Sequence, residues 1–179
     1  MKGWLNSVEL SRVAIFSSIL TIAELMSFDF TWPLLPPIVV VPFVTSFILG
    51  ISIPFIKSQW IMGLVAFVIT NISKGGILPG PFIIPVYGFI FHTRRVKLSG
   101  AFSSIIHLFY GVFLAPSIFA VAPAKIAYSW FLLRFGSFAP AIVVATTVFG
   151  IGGAIAAGSG HGIGLRIAKN LSRGRYYDS

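Results

Sequence analysis

The chain has 179 residues, 56% of them hydrophobic and 9% charged, with a net charge of +9 and no cysteine. Soluble domains average about 25% charged residues, so a mean hydropathy of +0.95 places the chain among integral membrane proteins, and its length allows about six helices with short loops. Disulfide and thiolate chemistry are excluded, and basic residues scattered over loops between apolar runs point to anionic lipid headgroups, not to nucleic acid.

The opening, MKGWLNSVELSR, does not read as a signal sequence. It contains an acid, lacks a basic-then-apolar order and has no early small-residue cleavage site. The first apolar run is therefore read as a membrane helix over about 7–27, with Lys2 and Arg12 at its start and Glu24 near its end. Ala14 and Ser18 stand four apart, near Ser11, Ser17 and Thr21, and such small residues mark a close-packing face. SFDFTWPLLPP reads as a loop: Asp29 is charged, Trp32 suits an interface, and Pro33, Pro36 and Pro37 break helices.

A second helix is expected over about 37–56, bent or ended by Pro42 and Pro54, with Lys57, Ser58 and Gln59 as a tight turn. The third and fourth, about 60–73 and 80–92, are short and joined by KGGILPG. Short segments around a Gly/Pro-rich connection suit the lining of a cavity, or form a plain surface loop. After the basic HTRRVKLSG comes a fifth helix, about 100–121, holding His107 and Tyr110. A half-helix or interfacial cap follows over about 122–136, anchored by Lys125, Tyr128, Trp130 and Arg134.

The last helix, about 138–171, opens as the uncharged FAPAIVVATTVFGIGGAIAAG. It continues through Gly150, Gly152, Gly153, Gly158, Gly160, Gly162 and Gly164, and ends near Arg166, Lys169, Arg173 and Arg175. The apolar part has roughly the 20 residues needed to span a bilayer. The glycines would let neighbouring backbones approach closely.

Six crossings from a cytoplasmic N-terminus put ten Lys and Arg inside: Lys2, Arg12, Lys57, Arg94, Arg95, Lys97, Arg166, Lys169, Arg173 and Arg175. Only Lys74, Lys125 and Arg134 fall outside, the bias that the positive-inside rule requires. The predicted fold class is thus an all-α integral membrane protein: a single bundle of about six transmembrane helices with both termini cytoplasmic.

Glu24 is the only acid inside an expected membrane helix. It lies about 18 Å along that helix from Arg12 at ~1.5 Å per residue, in the outer half. A carboxylate there faces a cavity, a partner or water. It is read as a ligand contact, or as a group that reaches the outer interface or pairs with Lys125 or Lys74. His107 and Tyr110, three apart, share a helix face, and the His is either a ligand or proton group or a core histidine bonded to a carbonyl. Asn71 contacts substrate or caps its helix. A cavity flanked by Glu24, Asn71, His107 and Tyr110, under a cap carrying Trp130, is the expected substrate site.

No catalytic residue, metal site or cofactor is expected. His92, His107 and His161 are scattered, without a carboxylate or thiolate at ligand spacing. GSGHGIGLR is similar to the Ser-Gly-His element of membrane phosphatases of the phosphatidic-acid phosphatase type, but nothing after His161 supplies that family's second His. The same glycines lack the Lys-Ser/Thr of a nucleotide-binding loop.

In layout the chain resembles the substrate-binding S component of energy-coupling factor transporters: a small six-helix protein with both ends inside. Its first helix carries Ala14 and Ser18 where that family often has Ala-x-x-x-Ala, and its last runs through glycines and alanines into a basic end. The resemblance implies uptake of a vitamin or similar micronutrient, bound from the outer side. It also implies docking through Ala14 and Ser18 to a transmembrane coupling subunit driven by cytoplasmic ATPases. The alternative expectation is a structural subunit of a larger membrane complex with no ligand of its own. A lipid-modifying enzyme ranks below both, because no paired acid and base is present.

Overall fold

The computed structural model describes residues 6–31, 37–73, 82–110 and 138–174, together with the isolated positions 129, 133 and 136. Six helices stand among them: α1 (Ser7–Thr31), α2 (Pro37–Ser52), α3 (Gln59–Ser73), α4 (Ile83–His92), α5 (Val96–Phe109) and α6 (Phe138–Gly174).

Several boundaries depart from the sequence expectation. α1 continues through SFDFT, which had read as the start of a loop. No breaker occurs before Pro33, so Asp29 is helical, and Glu24 shares its helix with both Asp29 and Glu9 of the first turn and is not the only acid there. α2 passes through Pro42 and stops at Ser52, short of the expected 56. Pro54 disfavours helical backbone at Ile53 and has no N–H to continue the ladder. The chain turns there instead, with the Phe55 and Ile56 amides on the Ser52 carbonyl, both at 2.9 Å. α5 starts four residues early, its first turn closed by the Ser99 N–H on the Arg95 carbonyl at 2.7 Å. The preceding turn puts Arg94 in the left-handed region at φ 58°. The expected cap over 122–136 lies outside the described residues, its three isolated positions apart.

α2 is the central helix. No residue from 39 to 56 is exposed, and α1, α4, α5 and α6 all pack on it. Named contacts give the direction of every neighbour. The Phe16 and Phe55 rings stack at 5.5 Å, and Thr45 bonds Glu24, so α1 and α2 are antiparallel. Ser17 donates to the Met62 carbonyl at 3.1 Å and Thr21 to that of Ala66 at 3.4 Å, which makes α1 and α3 parallel. Phe67 meets Phe82, Ser99 meets the Ile90 carbonyl, and Gly100 meets Gly153. Direction therefore alternates through α3, α4, α5 and α6.

This alternation gathers the charges. Arg12 begins α1, Lys57 is in the α2–α3 turn, Arg94, Arg95 and Lys97 form the α4–α5 turn, and Arg166 and Lys169 are near the end of α6. Every described Lys and Arg thus falls at one end of the bundle. That end is fastened by the Lys57 N–H on Glu9 Oε1 at 3.0 Å and by Arg12 Nη1 on the Phe55 carbonyl at 3.2 Å.

Of the six helices, α6 alone, over Ile142–Ser172, is long and apolar enough among the described residues to cross a membrane, judged by length and composition. α2, α3, α4 and α5 have 16, 15, 10 and 14 described residues, below the roughly 17–25 of a self-sufficient span.

Candidate functional site

The buried hydroxyls of the bundle are mostly accounted for. Thr70 donates to the Ala66 carbonyl at 2.7 Å. Ser52 reaches Gln59 Oε1 at 2.9 Å, and Ser46 faces Ser104 at 3.4 Å. The exceptions among the described residues are Tyr87 on α4, Ser103 and His107 on α5, and Thr146 and His161 on α6, and the first three belong to two helices that pack on each other.

Tyr87 of α4 is fully buried, and its hydroxyl has no hydrogen-bond partner among the described residues. The His107 ring of α5 lies 5.9 Å from the Tyr87 ring, tilted by 48°. His107 Nδ1 and, one turn earlier, Ser103 Oγ are likewise buried without a partner. The Glu24 carboxylate of α1 accepts a short hydrogen bond from Thr45 of α2, and its charge is close enough to act on the Tyr87 phenol.

The backbone explains how these groups come together. Gly88, beside Tyr87, lets α4 close on α3: a Cβ there would stand 2.7 Å from the Gln59 carbonyl oxygen. Ile84, Tyr87 and Phe91 follow the 3–4 residue spacing of a helix face, and all three are buried in the core. On α5, Ser99, Gly100, Ser103, Ser104 and His107 form the buried stripe. Small side chains there let α6 and α4 approach while keeping hydroxyls and an imidazole inside.

The sequence-predicted residues fare differently. Glu24 and His107 both come near Tyr87. Tyr110, partly buried, packs against the same core as Tyr87. Asn71 is buried and donates from Nδ2 to the Phe67 carbonyl of its own helix at 2.8 Å, next to Thr70 and the Thr21 contact. Trp130 lies outside the described residues. Ala14 and Ser18 are exposed, and the Ser18 hydroxyl folds back on the Ala14 carbonyl at 3.0 Å. They face away from the bundle and are not part of its internal packing.

Sequence reasoning missed Tyr87, Thr45 and Ser103. Tyr87 is a lone polar group in its apolar helix beside a glycine, whereas Thr45 and Ser103 stand next to Ser46 and Ser104 and carry no mark that singles them out.

A buried polar group without a hydrogen bond costs about 1–3 kcal/mol, and such groups are rare in native proteins. Several in one place, beside a carboxylate, make a set able to hold a polar ligand. The carboxylate accepts, and the phenol, hydroxyl and imidazole donate or accept. No group of three or more His, Asp and Glu that could hold a metal ion occurs among the described residues. No protein-family model matches this chain, and neither a curated protein nor a solved structure does.

Proposed function

We propose that the chain is a multi-pass membrane protein that binds a small polar molecule inside its bundle, as the ligand-binding subunit of a micronutrient uptake system. The observation that carries the binding reading is the unpartnered Tyr87 hydroxyl and His107 Nδ1 beside the Glu24 carboxylate.

Two further observations support the membrane reading. Every described helix except α2 exposes large apolar side chains, among them Ile22, Ile72, Phe89, Phe102 and Ile155. Soluble monomers rarely expose large contiguous apolar patches. All described Lys and Arg lie at one end, as the cytoplasmic side demands. In that frame both termini are cytoplasmic, and Glu24 stands toward the outer half. Helices too short to span alone are tolerated in a bundle where protein covers their ends. The outward face of Ala14 and Ser18 is then the docking surface for a transmembrane coupling subunit, which in turn engages cytoplasmic ATPases.

The same exposed face also favours the second reading, a structural subunit with no ligand of its own. Mass spectrometry of co-purifying small molecules, followed by calorimetry, separates the two. Losing a hydrogen bond to a charged group costs roughly 1.5–3 kcal/mol, so Glu24→Gln is expected to weaken binding about ten- to a hundredfold. A ligand-free preparation, or unchanged affinity in Glu24→Gln, would put the structural subunit ahead. Topology has its own check. A cysteine at exposed Ser73 should react with an impermeant reagent on intact cells, and one at exposed Lys97 only after permeabilisation. Labelling of Lys97→Cys on intact cells would reverse the orientation.

A further inference from the structure

At the basic end of the bundle, the start of α1 and the ends of α2 and α6 leave a groove of about 870 Å3. Its walls are apolar: Phe16 and Ile19 from α1, Ile51 from α2, Ile167 and Leu171 from α6. Ile19, Ile167 and Leu171 are exposed, so the groove opens sideways from the bundle.

Arg12 is the one cation in this lining. Among the described residues a single N–H, on Nη1, goes to the Phe55 carbonyl at 3.2 Å, which holds the guanidinium in the groove's lining. The guanidinium has five N–H donors in a fork that matches phosphate, so donors remain after that bond. Glu9, the nearest acid along α1, takes the Lys57 N–H.

We propose that this groove binds an anionic phospholipid, with an acyl chain against Ile19, Ile51 and Leu171 and the headgroup phosphate on Arg12. The proposal rests on the membrane reading above. Charge complementarity selects the occupant. The groove is at the end that carries every described Lys and Arg, where the potential favours anionic headgroups. A neutral lipid supplies the chain without the net headgroup charge. A soluble phosphate supplies the charge and nothing for the apolar walls.

The test uses the full chain, first floated with vesicles of phosphatidylcholine alone. It is then reconstituted with equal phosphatidylcholine and phosphatidylglycerol, extracted, and its retained lipid counted by native mass spectrometry. One basic contact at a membrane surface is worth about a fivefold preference, so phosphatidylglycerol should be retained over phosphatidylcholine by about that factor. Arg12→Gln should remove the preference and Arg12→Lys keep part of it. Ile167→Trp, at an exposed position, should lower retention of both lipids with helical content unchanged, and added inorganic phosphate should displace neither. Equal retention by the unaltered protein, or an unchanged preference in Arg12→Gln, overturns the lipid site. If Arg12→Gln does not fold, a full lipid load in Ile167→Trp overturns it instead. Displacement by inorganic phosphate reassigns the site to a free anion. Failure to float with neutral vesicles overturns the membrane reading and the site together, whereas insertion without selectivity overturns the site alone.

Discussion

The two halves of the bundle are held by different chemistry. On one side, α6 meets α2 and α5 through backbone. A Cβ on Gly160 would overlap the Phe47 carbonyl oxygen, and one on Gly153 would overlap the Gly100 carbonyl oxygen. On the other side, α1 meets α3 through hydroxyls, with Ser17 and Thr21 donating to α3 carbonyls and Thr70 linked to Thr21 at 3.4 Å. Close backbone approach gives dispersion contact and weak Cα–H···O bonding without desolvating a side-chain polar group. The hydroxyl half already has polar groups inside. Among the described residues, Tyr87 of α4 and Ser103 and His107 of α5 carry buried polar atoms without a partner, with Tyr87 near the Glu24 carboxylate. α5 borders both halves, and α6 holds two more such atoms, Thr146 Oγ1 and His161 Nδ1. The contrast separates a seam closed by backbone from a core that carries polar groups at a cost.

The strongest way to break that contrast is at the seam. Gly160→Val puts a branched side chain where α2 backbone already stands, and overpacking typically costs 1–3 kcal/mol, occasionally more. With no flexible side chain to yield, Gly160→Val is expected at or above about 3 kcal/mol, as a large fall in melting temperature in detergent or a loss of folded protein. Gly152→Ala is the control. Its Cβ would meet the Phe43 ring, 2.7 Å from the nearest ring carbon, and a ring can turn aside. If Gly160→Val melts with the unaltered protein, the seam does not hold the fold.

In the polar core the expected sign is opposite. Tyr87→Phe removes a hydroxyl that has no partner among the described residues, and with it a desolvation cost. Stability should hold or rise by about 1 kcal/mol, the low end of the cost of an orphaned group. Affinity for the co-purified molecule should fall at the same time, by about the factor expected for a neutral hydrogen bond, roughly tenfold. A destabilised Tyr87→Phe with unchanged affinity would make the phenol a structural group and remove the difference between the two halves.

Much of the seam was legible in the sequence and little of the core. A glycine run in an apolar helix announces close approach by its composition. What it cannot announce is the partner, because Phe47, Ile51 and Gly100 carry no mark in a single sequence. The run also divides in space. Gly153 faces α5, Gly160 and Gly164 face α2, and Gly162 faces neither. Helix positions were read from apolar runs and prolines, and the chain does leave the helix just before Pro54, at Ser52. The end of α1 was missed because Asp29 and two aromatics read as loop, although nothing before Pro33 forbids a helix. Glu24 and His107 stood out because charge and imidazole are costly among apolar residues. Tyr87 and Thr45 did not, because phenols and hydroxyls are common in such helices. Only packing decides which of them are denied water.

The smallest expected effect is the sharpest test of how the glycine run divides. Gly162 sits two residues from Gly160 in the same helix, and a Cβ on it would meet nothing within 4 Å. Its backbone is helical, so Ala fits without strain and limits the unfolded chain. Gly→Ala at a compatible site stabilises by about 0.4–1 kcal/mol, and Gly162→Ala is expected near the lower figure, as a slightly raised melting temperature. Gly160→Ala should lower it, since even one methyl meets the Phe47 carbonyl. Opposite signs from the same substitution two residues apart would mean that position on the helix surface, not glycine content, sets the energetics of α6. Equal and negative shifts would mean that something covers Gly162 in the folded protein, and the exposed face of α6 would then be a packed surface.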